Sequence, residues 1–142
     1  MKNYILITGV AGNIGSYLAL ALLKKNYNVI GIDNFLTGDK KKLPSKSNSN
    51  FKFIFGNVNS KSKISSIFKL YKIEFVFHFA AVVGVQRTQE YPLKVMEDIN
   101  GTKYLLELSV KYNINRFFYS SSSEVYGEPL KLPLNEDNSP FN

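Results

Sequence analysis

Cysteine and tryptophan are both absent from the 142 residues, and histidine occurs once, as His78. The lack of cysteine excludes a disulfide scaffold, a thiolate metal site and a cysteine nucleophile. A single histidine excludes a histidine-pair metal site, and no metal is expected. Arginine is scarce, with only Arg87 and Arg116, so the net charge of +7 is almost wholly lysine. No apolar run approaches the roughly 18 residues of a membrane span. The longest, Val76 to Val85, is interrupted by His78 and Gly84. Ile5-Leu6-Ile7 is too short for the apolar part of a secretory leader, and no cleavage site follows it. These absences lead to the expectation of a soluble cytoplasmic chain with no membrane partner.

What is present reads as globular: 44% of residues are hydrophobic and 20% charged. At roughly 150 residues per domain the chain is one domain. Lysine is densest between Lys40 and Lys63, with Asp39 the only nearby acid. Such a patch could face nucleic acid. No aromatic interleaves with Lys40-Lys41-Lys42 and arginine is nearly missing, so the stretch reads as a solvated loop. No nucleic-acid partner is expected.

Along the chain, apolar strand-like runs alternate with helical patterns. Tyr4 to Thr8 reads as a strand, followed by a helix over Asn13 to Lys25. Asn28 to Ile32 reads as a second strand ending at Asp33, and the polar stretch Asn34 to Asn50 as a surface loop. Phe51 to Phe55 is a third strand, and Lys61 to Tyr71 a short helix with Ile64, Ile67, Phe68 and Tyr71 at helical spacing. Glu74 to Ala80 is apolar on both faces, as a buried parallel strand is. Tyr91-Pro92 opens a long helix with a stripe at Val95, Ile99, Leu105 or Leu106, Leu108 and Tyr112. Arg116 to Ser120 is a fifth strand, and the tail from Glu128 to Asn142 has no periodicity. The alternation predicts an α/β fold: a Rossmann-type, doubly wound parallel sheet of about five strands with helices on both faces.

Thr8 to Gly15 carries a Gly-x-x-Gly-x-x-Gly run between the first strand and the first helix. In that place Gly9 serves a tight turn, Gly12 the approach of a pyrophosphate, and Gly15 close helix–strand packing. The positive end of the helix then faces the phosphates. Asp33 lies about 20 residues further on, where an acid binds the ribose hydroxyls of a dinucleotide. Its charge repels a 2′-phosphate and favours NAD over NADP, against the counter-reading that Lys40-Lys41-Lys42 neutralises such a phosphate.

Five stretches together resemble one family: TGVAGNIGS from Thr8, DNFLTG from Asp33, HFAA from His78, INGT from Ile99 and SSSSEVYGEP from Ser120. The chain resembles the NAD-dependent nucleotide-sugar epimerase/dehydratase family of the extended short-chain dehydrogenase/reductases. The resemblance implies NAD as cofactor and, in the intact enzyme, oxidation of a sugar at C4 to a transient 4-keto intermediate. By resemblance Asn13 and Ile14 lie beside the pyrophosphate, and Asp33 and Asn34 hold the adenosine ribose, with the loop to Gly38 near the adenine. Asn57 and Val58 sit at the adenine edge. Phe79, Ala80 and Ala81 line the path to the nicotinamide, with Ser120 on its other side. Ser122 matches the residue that hydrogen-bonds the reacting sugar hydroxyl.

Ser123-Glu124 distinguishes branches of that family. Simple 4-epimerases usually lack this glutamate, whereas 4,6-dehydratases and glucuronate decarboxylases tend to carry one after Thr-Asp or Thr-Ser. Two roles are open to Glu124: a base at C5 of a 4-keto sugar, aided by Ser123, or an acid that orients its loop. Ser123 stands where the better acid Asp is found. His78 reads as a structural residue, and Arg87 as either a substrate contact or a surface arginine.

Three departures stand out. No tyrosine has lysine four residues on, so the family's Tyr-x-x-x-Lys pair is absent from the sequence. By family spacing it is expected a few residues beyond Asn142, and the sixth strand and substrate domain are expected to be missing too. The expectation is therefore an NAD-binding domain over 1–142, incomplete at its C-terminus and inactive alone, with a nucleotide-sugar substrate and a possible homodimer in the full-length enzyme. A stand-alone NAD-binding module without chemistry is the alternative. Asn57 replaces the usual aspartate facing adenine, and Asp98 replaces the asparagine before Ile-x-Gly-Thr. A buried carboxylate at Asp98 needs a partner or a proton.

Overall fold

A computed structural model describes residues 2–82, 84–127, 132, 133 and 135, with only the backbone of Ser123 and Glu124. Its strands are β1 (Asn3–Thr8), β2 (Val29–Asp33), β3 (Phe51–Phe55), β4 (Lys72–His78) and β5 (Arg116–Tyr119). Its helices are α1 (Asn13–Lys24), α2 (Lys61–Leu70), α3 (Val85–Glu90) and α4 (Pro92–Lys111). The strands form one sheet in the order β3-β2-β1-β4-β5, and every pairing is parallel. This is the Rossmann-type sheet the alternating pattern predicts. The strand order reverses between β1 and β4, and a crevice opens there at the C-terminal strand ends.

Alternation along the strands builds a core on each face. Leu6, Ile30, Ile32 and Val76 meet Ile64, Ile67 and Phe68 of α2 and Leu105 of α4. Ile5, Ile7 and Val29 meet Ala19 and Leu23 of α1 on the other face. Leu6, Ile7, Ile30, Ile32, Ile64 and Leu105 are wholly shielded from water. Each such side chain contributes roughly 1.5–3 kcal/mol by burial.

Four details differ from the sequence reading. β4 begins at Lys72 and ends at His78 rather than at Ala80: the Phe79 N–H is shared between the Thr8 carbonyl and hydroxyl, and the Ala80 N–H turns to the hydroxyl. α3 is an extra short helix, which a window lacking apolar periodicity does not announce. Lys40–Lys42 form a single 3-10 turn capped by Asp39, whose carboxylate accepts the Lys41 N–H. Lys40 Nζ lies 5.1 Å from the Phe35 ring centroid, so an aromatic does sit beneath the lysine run.

On α4 the sheet-facing side is Gly101, Leu105 and Ser109, while Ile99 and Leu106 are exposed. Gly101 lets α4 settle on the Val58–Asn59 turn that leads into α2. A Cβ on Gly101 would come within 2.6 Å of Asn59 Oδ1 and 2.9 Å of Val58 Cγ2. That close approach turns the stripe toward Leu105 and away from Ile99. Among the described residues no helix is long and apolar enough to cross a membrane, and no three acidic or histidine side chains gather as a metal ion requires.

Candidate cofactor site

The glycine run folds at the switch point. Gly9 ends β1 with φ +67°, a left-handed conformation, and its Cα faces the end of β4. A Cβ there would lie 2.8 Å from the Ala80 nitrogen and 2.9 Å from the Phe79 carbonyl carbon. The Gly12 N–H donates to the Gly9 carbonyl at 3.0 Å, and Gly12 begins α1 without a side-chain cap. The first turn of α1 carries no acid, so its positive end is left for an anion. At Gly15 a Cβ would strike the Gly9 carbonyl oxygen, so Gly15 seats the helix on the glycine turn itself. Gly31 of β2 makes a second close approach, to the turn, where a Cβ would meet Val10 Cγ1 at 2.6 Å.

Asp33 is 8% exposed and holds two loops together. Its Oδ2 accepts the Ala11 N–H at 2.9 Å, and its Oδ1 accepts the Phe35 N–H at 2.7 Å. A carboxylate has about four acceptor positions, so two remain for ribose hydroxyls. Gly38 lets the 34–39 loop close over this carboxylate, since a Cβ would lie 2.9 Å from Asp33 Oδ1. The Asp39 N–H then reaches the Ala11 carbonyl at 3.0 Å. Asn57 spends one acceptor position of its Oδ1 on the Asn59 N–H at 2.9 Å, leaving the other for an amino group.

Two adjoining clefts lie over these strand ends. The smaller, about 270 Å³, is lined by Gly9, Gly12, Asp33, Asn34, Asn57 and Val58. The larger, about 1000 Å³, adds Asn13, Ile14, Gly15 and Ser120. Phe79, Ala80 and Ala81 border both. Gly38 lines neither and acts through Asp33. The groove thus offers a carboxylate at one end, an uncapped helix start in the middle and the β4 and β5 ends at the other. This fits an elongated dinucleotide with a central diphosphate.

A largely buried polar string runs along the larger cleft, with His78, Asp98 and Thr102 in its wall. Thr8 and His78 are register partners across β1 and β4. Thr8 Oγ1 accepts the Phe79 and Ala80 N–H groups, each at 3.1 Å. Thr8 Oγ1 also lies 2.7 Å from His78 Nδ1, and His78 Nε2 lies 3.0 Å from Thr102 Oγ1. The Thr102 hydroxyl donates to the Asp98 carbonyl at 3.3 Å. His78 is 3% exposed, and burial pushes its pKa down from 6.5 to about 4, with the Asp98 carboxylate opposing. Asp98 has partners: its Oδ2 accepts the Val82 N–H at 2.5 Å and its Oδ1 accepts from Asn59 Nδ2 at 3.3 Å.

Ser122 follows β5 and is exposed, and the Ser123–Tyr126 backbone makes a 3-10 turn. The Ser123 and Glu124 side chains lie outside the described structure, as do residues 128–131, 134 and 136–142 of the tail. Arg87 is exposed on α3. Thr8, Gly31, Asn59 and Thr102 were not singled out from sequence. Thr8 and Thr102 sit inside the TGVAGNIGS and INGT stretches, which were the available signal for them.

The parallel sheet, the glycine turn at its switch point and the acid ending β2 define a dinucleotide-binding fold of the Rossmann type. The comparisons with known proteins narrow the class. Residues 5–142 match the model of the NAD dependent epimerase/dehydratase family, and the chain belongs to that family, whose cofactor is NAD. It is 36% identical over 143 residues to a UDP-glucose 4-epimerase of Drosophila melanogaster, covering 94% of this chain and 41% of that protein. A UDP-glucose 4-epimerase of Yersinia enterocolitica is 36% identical over 136 residues, covering 93% of this chain and 40% of that protein. Among solved structures, a UDP-glucose 4-epimerase from Bifidobacterium longum in complex with NAD+ and UDP superimposes with a TM-score of 0.82. It is 28% identical, and the match covers 98% of this chain and 42% of that one. The Thermus thermophilus UDP-glucose 4-epimerase complex with NAD gives a TM-score of 0.84 at 27% identity, covering 98% and 44%. The chain spans about two fifths of the length of these relatives.

Proposed function

We propose that the chain is the N-terminal, NAD-binding part of a cytoplasmic enzyme that acts on a nucleotide sugar through oxidation at C4. The observation that carries this reading is the groove itself, where the start of α1, the Asp33 carboxylate and the Phe79–Ala81 wall converge on one elongated cleft. NAD, when bound, supplies reversible two-electron redox chemistry. The chain's own part is to hold it. Gly12, Asn13 and Ile14 take the diphosphate on the turn that Gly9 and Gly15 shape, and Asp33 and Asn34 the adenosine ribose. Asn57 and Val58 take the adenine edge. Phe79, Ala80, Ala81 and Ser120 face the nicotinamide end. Ser122 hydrogen-bonds the reacting sugar hydroxyl. A UDP-sugar and 4-epimerisation are favoured by the relatives, which are named as UDP-glucose and UDP-arabinose 4-epimerases.

A 4,6-dehydratase or decarboxylase is the second reading, and Glu124 is the residue that favours it. Replacing Glu124 by Gln in an enzyme that carries a Tyr-x-x-x-Lys pair separates the two, since unchanged turnover removes Glu124 from the mechanism. The 142 residues hold no such pair to accept the sugar hydroxyl proton. The chain alone therefore binds NAD without turnover, and any epimer or 4-keto sugar it forms from UDP-sugars overturns this. A homodimer belongs to the same reading, supported by Met96, Ile99 and Val110 exposed along α4, and sedimentation at several concentrations tests it. Calorimetry with NAD and NADP tests the cofactor. The expected result is binding of NAD with NADP at least about tenfold weaker, from repulsion of the 2′-phosphate by Asp33.

A further inference from the structure

The polar string along the larger cleft is satisfied by the following set of hydrogens. Thr8 Oγ1 already accepts two backbone N–H groups, that of Ala80 and that of Phe79, which it shares with the Thr8 carbonyl at 3.3 Å. A hydroxyl has two acceptor positions and one hydrogen, so the Thr8 hydrogen points at His78 Nδ1. His78 Nδ1 is then the acceptor, and Nε2 carries the ring proton and donates to Thr102 Oγ1. Thr102 in turn spends its hydrogen on the Asp98 carbonyl of α4. Three elements are joined through one imidazole: the end of β1, the end of β4 and the middle of α4. The Phe117 and Tyr119 rings of β5 flank it at 6.2 and 5.9 Å, and the one charged group acting on it is the Asp98 carboxylate.

The same Phe79 and Ala80 backbone that Thr8 holds packs against Gly9 and borders both clefts. We propose that His78 is a positioning residue: held as the neutral Nε2–H tautomer, it aims the Thr8 hydroxyl so that Thr8 Oγ1 fixes the Phe79 and Ala80 amides, and thereby sets the cofactor-facing wall of the groove. The proposal rests on the reading that this groove takes NAD. With Nδ1 protonated, a donor would face an oxygen that already accepts the Phe79 and Ala80 N–H groups, and the Ala80 amide would lose its anchor while the Phe79 amide kept the Thr8 carbonyl.

His78 is the only histidine, so its ring nitrogens are resolved without ambiguity in the 15N spectrum of the intact chain. The expected spectrum at neutral pH shows Nδ1 unprotonated and Nε2 protonated. The opposite tautomer, or an averaged pair, overturns the proposal. The second arm compares NAD affinity in two variants. His78→Asn offers an amide oxygen near the Nδ1 position and serves Thr8, whereas His78→Gln reaches toward Thr102 and leaves Thr8 unserved. NAD binding is expected within about threefold of the unaltered chain for His78→Asn and about tenfold weaker for His78→Gln. Equal affinities in the two variants mean that His78 only fills space, and the proposal fails while the cofactor reading stands. An unaltered chain that does not bind NAD removes the cofactor reading and this proposal with it. Should either variant not fold, the tautomer in the unaltered chain still decides.

Discussion

Because His78 is the sole histidine, it is the one side chain whose unfolded-state titration falls between about pH 7.5 and pH 5, before the carboxylates begin to take protons. Unfolded, its imidazole takes a proton near 6.5; folded, burial holds this off until about 4. The unfolded state therefore binds more protons in this window, and stability falls as pH falls. The His78 contribution is complete above about 6.5, declines below it, and is lost by about 4. Linkage puts the loss at about 2 kcal/mol by pH 5 and about 3 kcal/mol by pH 4. Against a total stability of roughly 5–15 kcal/mol that is a large share. The assay is urea unfolding at several pH values across the window, on the unaltered chain and on His78→Gln. The unaltered chain should lose about 2 kcal/mol while His78→Gln, less stable at neutral pH, changes little. Parallel pH dependence in the two proteins would refute the reasoning, since it would place the proton uptake elsewhere.

Gly9→Ala forces a Cβ into the Phe79–Ala80 backbone at a positive φ, and should cost at least about 2 kcal/mol in thermal unfolding and abolish NAD binding. Asp33→Ala strands the Ala11 and Phe35 N–H groups, so a loss of roughly 1–3 kcal/mol should accompany the loss of NAD affinity. A stable Asp33→Ala protein that no longer binds NAD would show that the carboxylate serves the ligand alone. Leu105→Ala should cost about 2–5 kcal/mol in chemical denaturation and Leu106→Ala about 0.5 kcal/mol or less. The reverse order would contradict the placement of α4.

The strands, the helices α1, α2 and α4 and the sheet class are legible in sequence because their causes are local. Ile5-Leu6-Ile7 and Val29-Ile30 are continuous apolar runs, as strands covered on both faces are. The glycine run announces itself by lying between a strand and a helix, and Asp33 by its distance from it. What fails locally is whatever depends on a partner far along the chain. β4 stops at His78 because Thr8, 70 residues away, captures the next amides. Leu105 rather than Leu106 is buried because Gly101 lets α4 close on Asn59 and Val58. Gly31 packs against Val10 of the glycine turn, an approach that spacing does not reveal.

The sequence by itself determined the alternation of elements, the glycine turn and the acid that follows it, since backbone preference and hydrophobic period act over a few residues. The tertiary structure alone decided the partners of His78, the partners of Asp98 and the wall of the groove. Those depend on hydrogen bonds between β1, β4 and α4, and only folding brings their donors within reach of their acceptors.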